Sequence, residues 1–458
     1  MQSPNMPSNI RLIPVLCFTV FFSVINGTMF NIAIPNISSQ FNLLPSQVSW
    51  VVTGYTVFFA LSAIIFSKLA DIFPVKNLIT VGLILFNIGS LLGFLSEWYP
   101  MLLMARYIQA SGAGSIPALA MLIATRYFPI DKRGKVLGAH ASTVAFGSGI
   151  GPVLGGFITS VLNWHYLFLL SLLSLISIYY YRKWLPTETQ TGGSLDIKGA
   201  IIFALFVTSM LIAVNQFIWQ LIPLIAILGW IFIRRIRRIE HPFIQPKLFN
   251  NILYRNALIA TFFAAGCMFS ILFMIPIMLG DLNQLSSSQI GLVMFPGAMS
   301  AALMGFISGR LADKKGSIPV AYIGLGMLAF GFFLLSTFSG YTAFVITLVL
   351  IVIYISFAFI QSSMSNTVSK TLARESTGVG MGLYNLVFFI SGGFTSAIAG
   401  KALDYTEINF AINPFLINNT AAMYSNVSFV NLLLTASAFV LFYLTFRKDH
   451  NEKTATRI

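Results

Sequence analysis

Long apolar runs recur along this 458-residue chain, and they constrain its fold more than any other feature. Most are about 20 residues long, the length of helix that crosses a bilayer. Only 9% of the residues are charged and the mean hydropathy is +0.84, which excludes a string of soluble domains. The sequence therefore predicts an all-α membrane protein. We place fourteen spans at 12–36, 47–66, 77–96, 100–124, 137–161, 164–181, 199–216, 218–233, 256–280, 288–309, 318–338, 341–362, 379–400 and 427–446.

Basic residues gather on one side of this predicted topology. An even number of spans puts both termini on the same side, which then holds all of the 27 lysines and arginines except Arg106 and Lys401. Because positively charged loops mark the cytoplasmic side, we expect a cell-membrane protein with both termini in the cytoplasm. The RRIRR run at 234–238 is then a flank that touches membrane lipid, so the net charge of +14 indicates no nucleic-acid partner.

A repeated turn divides the chain into two halves. The stretch SKLADIFPVK (67–76) follows the second span, and GRLADKKGS (309–317) follows the tenth. The two turns match in position if the seventh and eighth spans are an inserted pair. We therefore expect an N-terminal six-helix bundle, two inserted helices with a cytoplasmic linker, and a C-terminal six-helix bundle with a short tail. Their predicted bounds are 1–185, 186–250 and 251–458.

The repeated turns also supply candidate gate residues. Asp71 and Asp313 can accept hydrogen bonds at the start of the next helix, and Gly309 and Gly316 let the chain leave a helix sharply. An acid in a basic turn is by itself typical of an ordinary solvated loop. Its duplication at matching positions favours a functional reading.

Glycines weaken the fifth span in one place, GSGIGPVLGG (147–156). Gly147, Gly151 and Gly155 recur every four residues, so they share one helix face and allow another backbone to approach closely. Pro152, next to this face, bends the helix, and Gly156 extends the small surface. The pattern predicts a tight, bendable hinge, although an ordinary close-packed helix pair would need the same glycines.

These motifs resemble the signature sequences of the major facilitator superfamily. The repeated LAD turn, RYIQASGAG (106–114) and the fifth-span motif carry the resemblance, although the first turn departs from the family pattern at Ser67, Pro74 and Val75. The inserted pair and GVGMGLYNLVFFISGG (378–393) are similar to the fourteen-span drug exporters, most of all to tetracycline efflux antiporters.

The resemblance implies two six-helix bundles plus two inserted helices. It further implies a secondary exporter of small amphipathic compounds, such as tetracycline-like drugs or related metabolites, that exchanges its substrate for protons by alternating access. In such exporters the fifth-span motif seals the pathway between the two halves.

Polar residues inside a membrane are costly and mark candidate sites. Arg106 lies about six residues inside the fourth span with Gln109 one turn on, and the resemblance implies a role in proton transfer or coupling. A purely structural arginine is the alternative. His140, in the first turn of the fifth span, is either a proton carrier or, as we prefer, an interfacial anchor. The candidate cavity residues, each of which could equally join helices, are Asn26, Asn31, Gln361 and Asn385.

Carboxylates are missing from the predicted spans. The tetracycline antiporters carry embedded glutamates where this chain has Gly27, Ser148 and Gly392, and neither glycine nor serine titrates. The coupling ion and the substrate therefore stay open. One alternative is a proton-independent exporter or flippase of an anionic or lipid-like substrate. Another is a non-transporting sensor built on the same scaffold.

Motifs of other function classes are absent from the sequence. No phosphate-binding loop, nucleophile elbow or His/Cys/carboxylate cluster with metal-ligand spacing occurs, so we expect no enzyme, no cofactor and no metal site. Cys17 and Cys267 both lie in apolar runs and predict no disulfide framework. The expected partner is a small-molecule substrate.

Overall fold

The computed structural model is almost entirely helical. It describes residues 11–70, 72–128, 130–186, 196–216, 218–239, 242–372, 377–405 and 410–455. Within those ranges there is no β-strand, and thirteen helices are long and apolar enough to cross a membrane. The expected fifth span lies in the helix Ile130–Val161, whose apolar part is Phe146–Val161. The predicted all-α membrane fold is confirmed.

The helices fall into three sets along the chain. The first set is α1 (Leu12–Phe41), α2 (Pro45–Val48), α3 (Trp50–Leu69), α4 (Val75–Phe94), α5 (Tyr99–Ala113), α6 (Ser115–Tyr127), α7 (Ile130–Val161), α8 (Leu167–Leu172) and α9 (Ile176–Trp184). The second set is α10 (Ile197–Gln216) and α11 (Ile222–Ile236). The third set is α12 (Ile252–Asn283), α13 (Ser287–Lys315), α14 (Ser317–Phe338), α15 (Ala343–Lys370), α16 (Thr377–Leu403) and α17 (Ala422–Ala455).

The first and third sets begin with the same local structure. Helix α1 ends in a left-handed residue, Asn42 (φ 50°), and α12 ends in another, Gln284 (φ 53°). Five residues later a glutamine side chain accepts a backbone N–H and caps the next helix, Gln47 at 2.8 Å in one set and Gln289 at 2.9 Å in the other. The matching stretches, FNLLPSQV and NQLSSSQI, are a second internal repeat.

The first and third sets pack against each other through α7 with α13 and α3 with α16. We call the molecular end that carries Lys68 and Lys315 the basic side, and the opposite end the far side. On the far side the Ser287 hydroxyl donates to Asn36 Oδ1 at 2.6 Å, and the Ser46 amide donates to Asp404 Oδ1 at 2.9 Å. Both bonds join the first set to the third.

Helices α10 and α11 pack beside this interface, and an aspartate fastens them on the basic side. Helix α10 contacts α11, α16 and α3. Asp196, just before α10, pairs with Arg235 of α11 at 2.7 Å and accepts the Phe243 amide at 3.2 Å. The Phe243 and Pro242 carbonyls in turn accept from Lys68 of α3 at 2.6 and 2.9 Å. The segment after α11 is therefore attached to the second span.

Replacing Asp196 with asparagine should destabilise the protein at neutral pH. Burial alone would raise the Asp196 pKa, but hydrogen bonds from the Gly199 amide, Arg235 and the Phe243 amide together hold that pKa below its ordinary value of 3.8. A depressed pKa adds stability above the ordinary value and loses it as the pH falls and the carboxyl is protonated. We expect the wild type to melt at a higher temperature than D196N at pH 7, with the two converging below about pH 4. E97Q, at an exposed acid, should melt like the wild type at both pH values.

Candidate functional site

Arg106 is fully buried at the centre of the first set of helices. Its Nη1 donates to Asn26 Oδ1 on α1 at 2.8 Å and to Gln109 Oε1 one turn on at 2.7 Å. The network continues outward, because Asn26 donates to Ser171 on α8 and Gln109 donates to Ser90 on α4, each at 2.8 Å. The predicted pair Arg106 and Gln109 thus holds four helices together.

Two aromatic rings enclose the Arg106 guanidinium. Its central carbon lies 4.1 Å from the centre of the Phe30 ring and 3.8 Å from that of Tyr55. Nη2 and the Tyr55 hydroxyl are both buried without a hydrogen-bond partner. In the part of the chain that the structure describes, no carboxylate pairs with Arg106. The buried guanidinium therefore keeps unused donor capacity at Nη2.

An aromatic row leads from this site across to the third set of helices. Tyr55 lies 6.1 Å from Phe59, and Phe59 lies 4.9 Å from Phe389 on α16, centre to centre. Phe389 neighbours Phe388 at 5.2 Å, and Phe388 meets Phe269 of α12 at 5.6 Å. Three helices from two sets thus bring their aromatic rings together in tilted and edge-to-face contacts at their common boundary. Sequence reasoning missed this row, although the paired phenylalanines at 388–389 were its visible signal.

The four predicted cavity residues occupy different surroundings. Asn26 is fully buried in the Arg106 network. Asn31 is buried, and its Oδ1 has no hydrogen-bond partner. Gln361 on α15 and Asn385 on α16 are exposed, and Asn385 lies one turn nearer the basic side than Phe389. The structure therefore brings Asn26 to Arg106, while the cavity assignment of the other three stays a prediction.

His140 and the three positions that lack glutamates also differ among themselves. His140 is partly buried and its Nε2 has no hydrogen-bond partner. A Cβ added at Gly392 would lie 2.6 Å from the Phe269 ring, so the aromatic row leaves no room for a glutamate there. A Cβ at Gly27 would lie 3.7 Å from Tyr55, an ordinary contact, and Ser148 is partly buried.

The α7 hinge motif lies against helix α1. A Cβ at Gly151 would lie 2.0 Å from the Thr28 hydroxyl, and one at Gly155 would lie 2.5 Å from the Met29 carbonyl oxygen. Gly147 is less tight, since its Cβ would be 3.3 Å from Val24. The four-residue repeat therefore serves the close approach of α1 and α7, both in the first set.

The other face of the same motif contacts the third set. A Cβ at Gly156 would lie 2.5 Å from the Ser287 carbonyl oxygen, and the Pro152 carbonyl oxygen lies 2.6 Å from a Cβ built at Gly291. Pro152 and Gly156 thus lie at the boundary between the sets, on the far side. We call this contact, together with its counterpart below, the far-side seal.

A matching contact completes the far-side seal. A Cβ at Gly400 on α16 would lie 2.9 Å from the Pro45 carbonyl oxygen and 3.2 Å from Ser46 Cα. Pro45 occupies the position in FNLLPSQV that Ser287 occupies in NQLSSSQI when the capping glutamines are aligned. Each set therefore presses a glycine against the same helix start of the other set. Sequence reasoning missed Gly400, because no motif in the sequence states which residue packs against the start of α2.

The gate turns are described only in part. Asp71 lies outside the described residues, as does the side chain of Asp313. Gly316 has φ +90°, a left-handed backbone that suits glycine at the end of α13. A Cβ at Gly309, or at Gly382 near the start of α16, would meet no atom within 4 Å. Both positions lie toward the basic side.

Comparison with known sequences gives a consistent result. The sequence profile of the Major Facilitator Superfamily matches residues 16–396. The chain is 27% identical to the riboflavin transporter RibZ of Clostridioides difficile, covering 92% of this chain and 95% of RibZ. It is 27% identical to the multidrug transporter protein MdtP of Bacillus subtilis, over 86% and 75% of the two chains. It is 26% identical to the multidrug efflux pump SdrM of Staphylococcus aureus, over 84% and 88%.

Solved structures share the fold. A bacterial homologue of the human lysosomal transporter Spinster, crystallised inward-facing and unoccupied, superposes with a TM-score of 0.67 at 13% identity and covers 97% of this chain and 98% of its own. A POT family transporter bound to a thioalcohol-conjugated peptide gives 0.68 at 15% identity, with 96% of each chain covered.

Proposed function

Because this chain belongs to the major facilitator superfamily and is a transporter rather than an enzyme, we propose that it is a secondary active exporter of small, planar, amphipathic compounds. Tetracycline-like drugs and related aromatic metabolites have this chemistry. The chain works by alternating access, in which two bundles rock about a shared cavity. The bundles are residues 1–185 and 251–458, and residues 186–250 form the inserted pair and linker of a fourteen-span protein.

The observation that carries the proposal is the far-side seal combined with the aromatic row. The seal closes one end of the boundary between the sets, whereas toward the other end a Cβ at Gly309 or Gly382 would meet no atom within 4 Å. The aromatic row lies between these two regions. This arrangement supports a state open to the basic side, which the distribution of lysine and arginine makes the cytoplasmic side.

The substrate class follows from the chemistry of the row and of Arg106. Phenylalanine rings offset-stack on a planar ligand, and the unpartnered Nη2 of the Arg106 guanidinium would donate to a carbonyl or enolate oxygen. Relatives of this chain are named for riboflavin and for multiple drugs, and a flavin or tetracycline ring system fits such a surface.

Proton exchange is the coupling we propose, with Arg106, Gln109 and His140 as the candidate path.

One observation favours a second candidate function. Arg106 has no acidic partner among the described residues, so a proton-independent exporter of an anionic substrate would use its charge directly. The two candidates differ in whether flux follows a pH gradient.

Transport into proteoliposomes separates the candidates. Riboflavin and a fluorescent tetracycline would be followed with the pH gradient imposed, abolished or reversed. Gradient-driven accumulation supports the exchanger, and flux that ignores the gradient supports the second candidate. No flux of either compound, or of a panel of cationic and anionic drugs, would contradict transport of this substrate class.

Removing the Phe389 ring from the aromatic row should weaken substrate binding. F389A removes the side chain that bridges α3 and α16, and loss of one aromatic ring contact costs about 1 kcal/mol beyond lost area. We expect an apparent affinity for planar substrates at least about fivefold lower, measured by the substrate dependence of transport. F344A is the matched control, because Phe344 is 72% exposed, and it should transport with unchanged affinity. Equal affinities in the two variants would remove Phe389 from the proposed site.

A further inference from the structure

Three arginines at the end of helix α11 line a cavity. Arg234, Arg237 and Arg238 form its walls together with Trp230 and Ile233, and its volume is about 310 Å³. The Arg234 guanidinium carbon lies 5.1 Å from the centre of the Trp230 ring. A concave site with three guanidinium groups and an indole at its edge suits an anion that carries an apolar extension.

The charges of these three arginines are not neutralised by any residue that the structure describes. Arg235 points to the neighbouring α10 and is paired with Asp196 at 2.7 Å. Among the residues that the structure places, no carboxylate forms an ion pair with Arg234, Arg237 or Arg238. The cavity is therefore separate from the Arg235–Asp196 ion pair that joins α11 to α10, although the RRIRR run contributes arginines to both.

The position of the cavity points to the membrane surface. Only 6% of the apolar stretch Trp219–Ile236 is buried inside the protein, so this helix faces lipid on most sides. Trp230 is 59% exposed and Ile233 is 49% exposed. Tryptophan is typical of the interface between headgroups and acyl chains. Acyl chains would lie against Trp230 and Ile233 while a headgroup reaches the arginines.

We propose that this cavity binds the phosphate of an anionic phospholipid. Guanidinium groups match phosphate oxygens with paired hydrogen bonds, and the apolar rim favours a lipid over free phosphate. Such a lipid would anchor α11 at the membrane surface. Because α11 packs on α10, and α10 contacts both α3 and α16, the bound lipid would steady the inserted pair beside the moving boundary.

Native mass spectrometry and melting of the purified full-length protein test the proposal. The probes are phosphatidylglycerol, phosphatidylcholine and inorganic phosphate. The triple variant R234Q/R237Q/R238Q is compared with K314Q/K315Q/K370Q, which removes the same charge from exposed lysines on the basic side. We expect the arginine variant to bind phosphatidylglycerol at least about tenfold more weakly than the wild type, because the arginines line the cavity and loss of even one charge-assisted hydrogen bond to phosphate weakens binding by about tenfold. The lysine variant should bind within about twofold of the wild type.

Three outcomes would overturn the proposal. These are equal phosphatidylglycerol binding in the two triple variants, equal binding of phosphatidylcholine, and stabilisation by inorganic phosphate alone that matches that of the lipid. If the triple variant fails to yield folded protein, the single change R237Q decides the question by the same measurement. The test does not depend on the transported substrate, so its failure leaves the proposed export function standing.

Discussion

Alanine at Gly156 is expected to open the far side of the protein and to slow transport. The added Cβ would lie 2.5 Å from the Ser287 carbonyl oxygen, which is backbone and cannot rotate away. Overpacking of this kind costs about 1 to 3 kcal/mol, which depopulates the sealed state by roughly five- to 150-fold. The transport cycle passes through that state, so the turnover rate should fall by a similar factor. G400A should behave in the same way, because its Cβ meets the equivalent Pro45 carbonyl oxygen at 2.9 Å.

Matched glycines supply the controls for this experiment. G326A on α14 and G382A on α16 add the same methyl group where no atom lies within 4 Å, and alanine favours helix by up to about 1 kcal/mol. Both should transport like the wild type and melt at the same or a higher temperature. Comparison with these controls therefore distinguishes a general loss of stability from a specific loss of the far-side seal.

Spin-label distances would report the seal directly. Labels at Leu162 and Leu292, both exposed near the far side, can be placed in a background with Cys17 and Cys267 replaced by alanine. Double electron–electron resonance should show a longer distance between the two labels in G156A than in G326A. Identical distance distributions in the two variants would show that Gly156 does not hold the far side closed.

The lengths of the apolar runs and the spacing of small residues predict this fold well, because they reflect requirements that each membrane helix meets independently of its neighbours. A helix that crosses a membrane needs about 20 apolar residues wherever its neighbours lie. Thus α12 extends its predicted span by about one turn at each end, and α15 begins two residues late and runs about two turns further at its end. The fourth span is less regular than predicted, since α5 ends at Ala113 and α6 begins at Ser115.

The sequence pattern does not reveal which helices pack against each other. The hinge motif reads as one small face, yet Gly155 packs on α1 of its own set while Gly156 packs on α13 of the other. The difference is a rotation of 100° about the helix axis, and the sequence does not state which neighbour lies in either direction. Asn26 is similar, because an asparagine that lines a cavity and one that accepts from Arg106 look the same in a helix of apolar residues.

Glutamine at Arg106 is expected to cause the largest loss of transport. The change removes a buried charge and the donors to Asn26 and Gln109, and each hydrogen bond from a charged group is worth about 1.5 to 3 kcal/mol. We expect gradient-driven transport to fall on the order of 100-fold. R106K should rescue little, since one ammonium cannot lie flat between Phe30 and Tyr55 while bonding to both amides.

The role of Arg106 is decided by comparing two activities. One is transport driven by the pH gradient, and the other is exchange of labelled for unlabelled substrate with equal substrate concentrations on both sides of the membrane. A coupling residue is needed only when the gradient does work, so R106Q would then exchange labelled for unlabelled substrate while failing to accumulate it. A residue that binds the substrate is needed for both. The control is R182Q, because Arg182 is exposed and donates only a 3.2 Å bond to Asn77, and it should lose neither activity. If R106Q instead accumulated substrate at the wild-type rate, Arg106 would be structural, and the unpartnered Nη2 would have no part in transport.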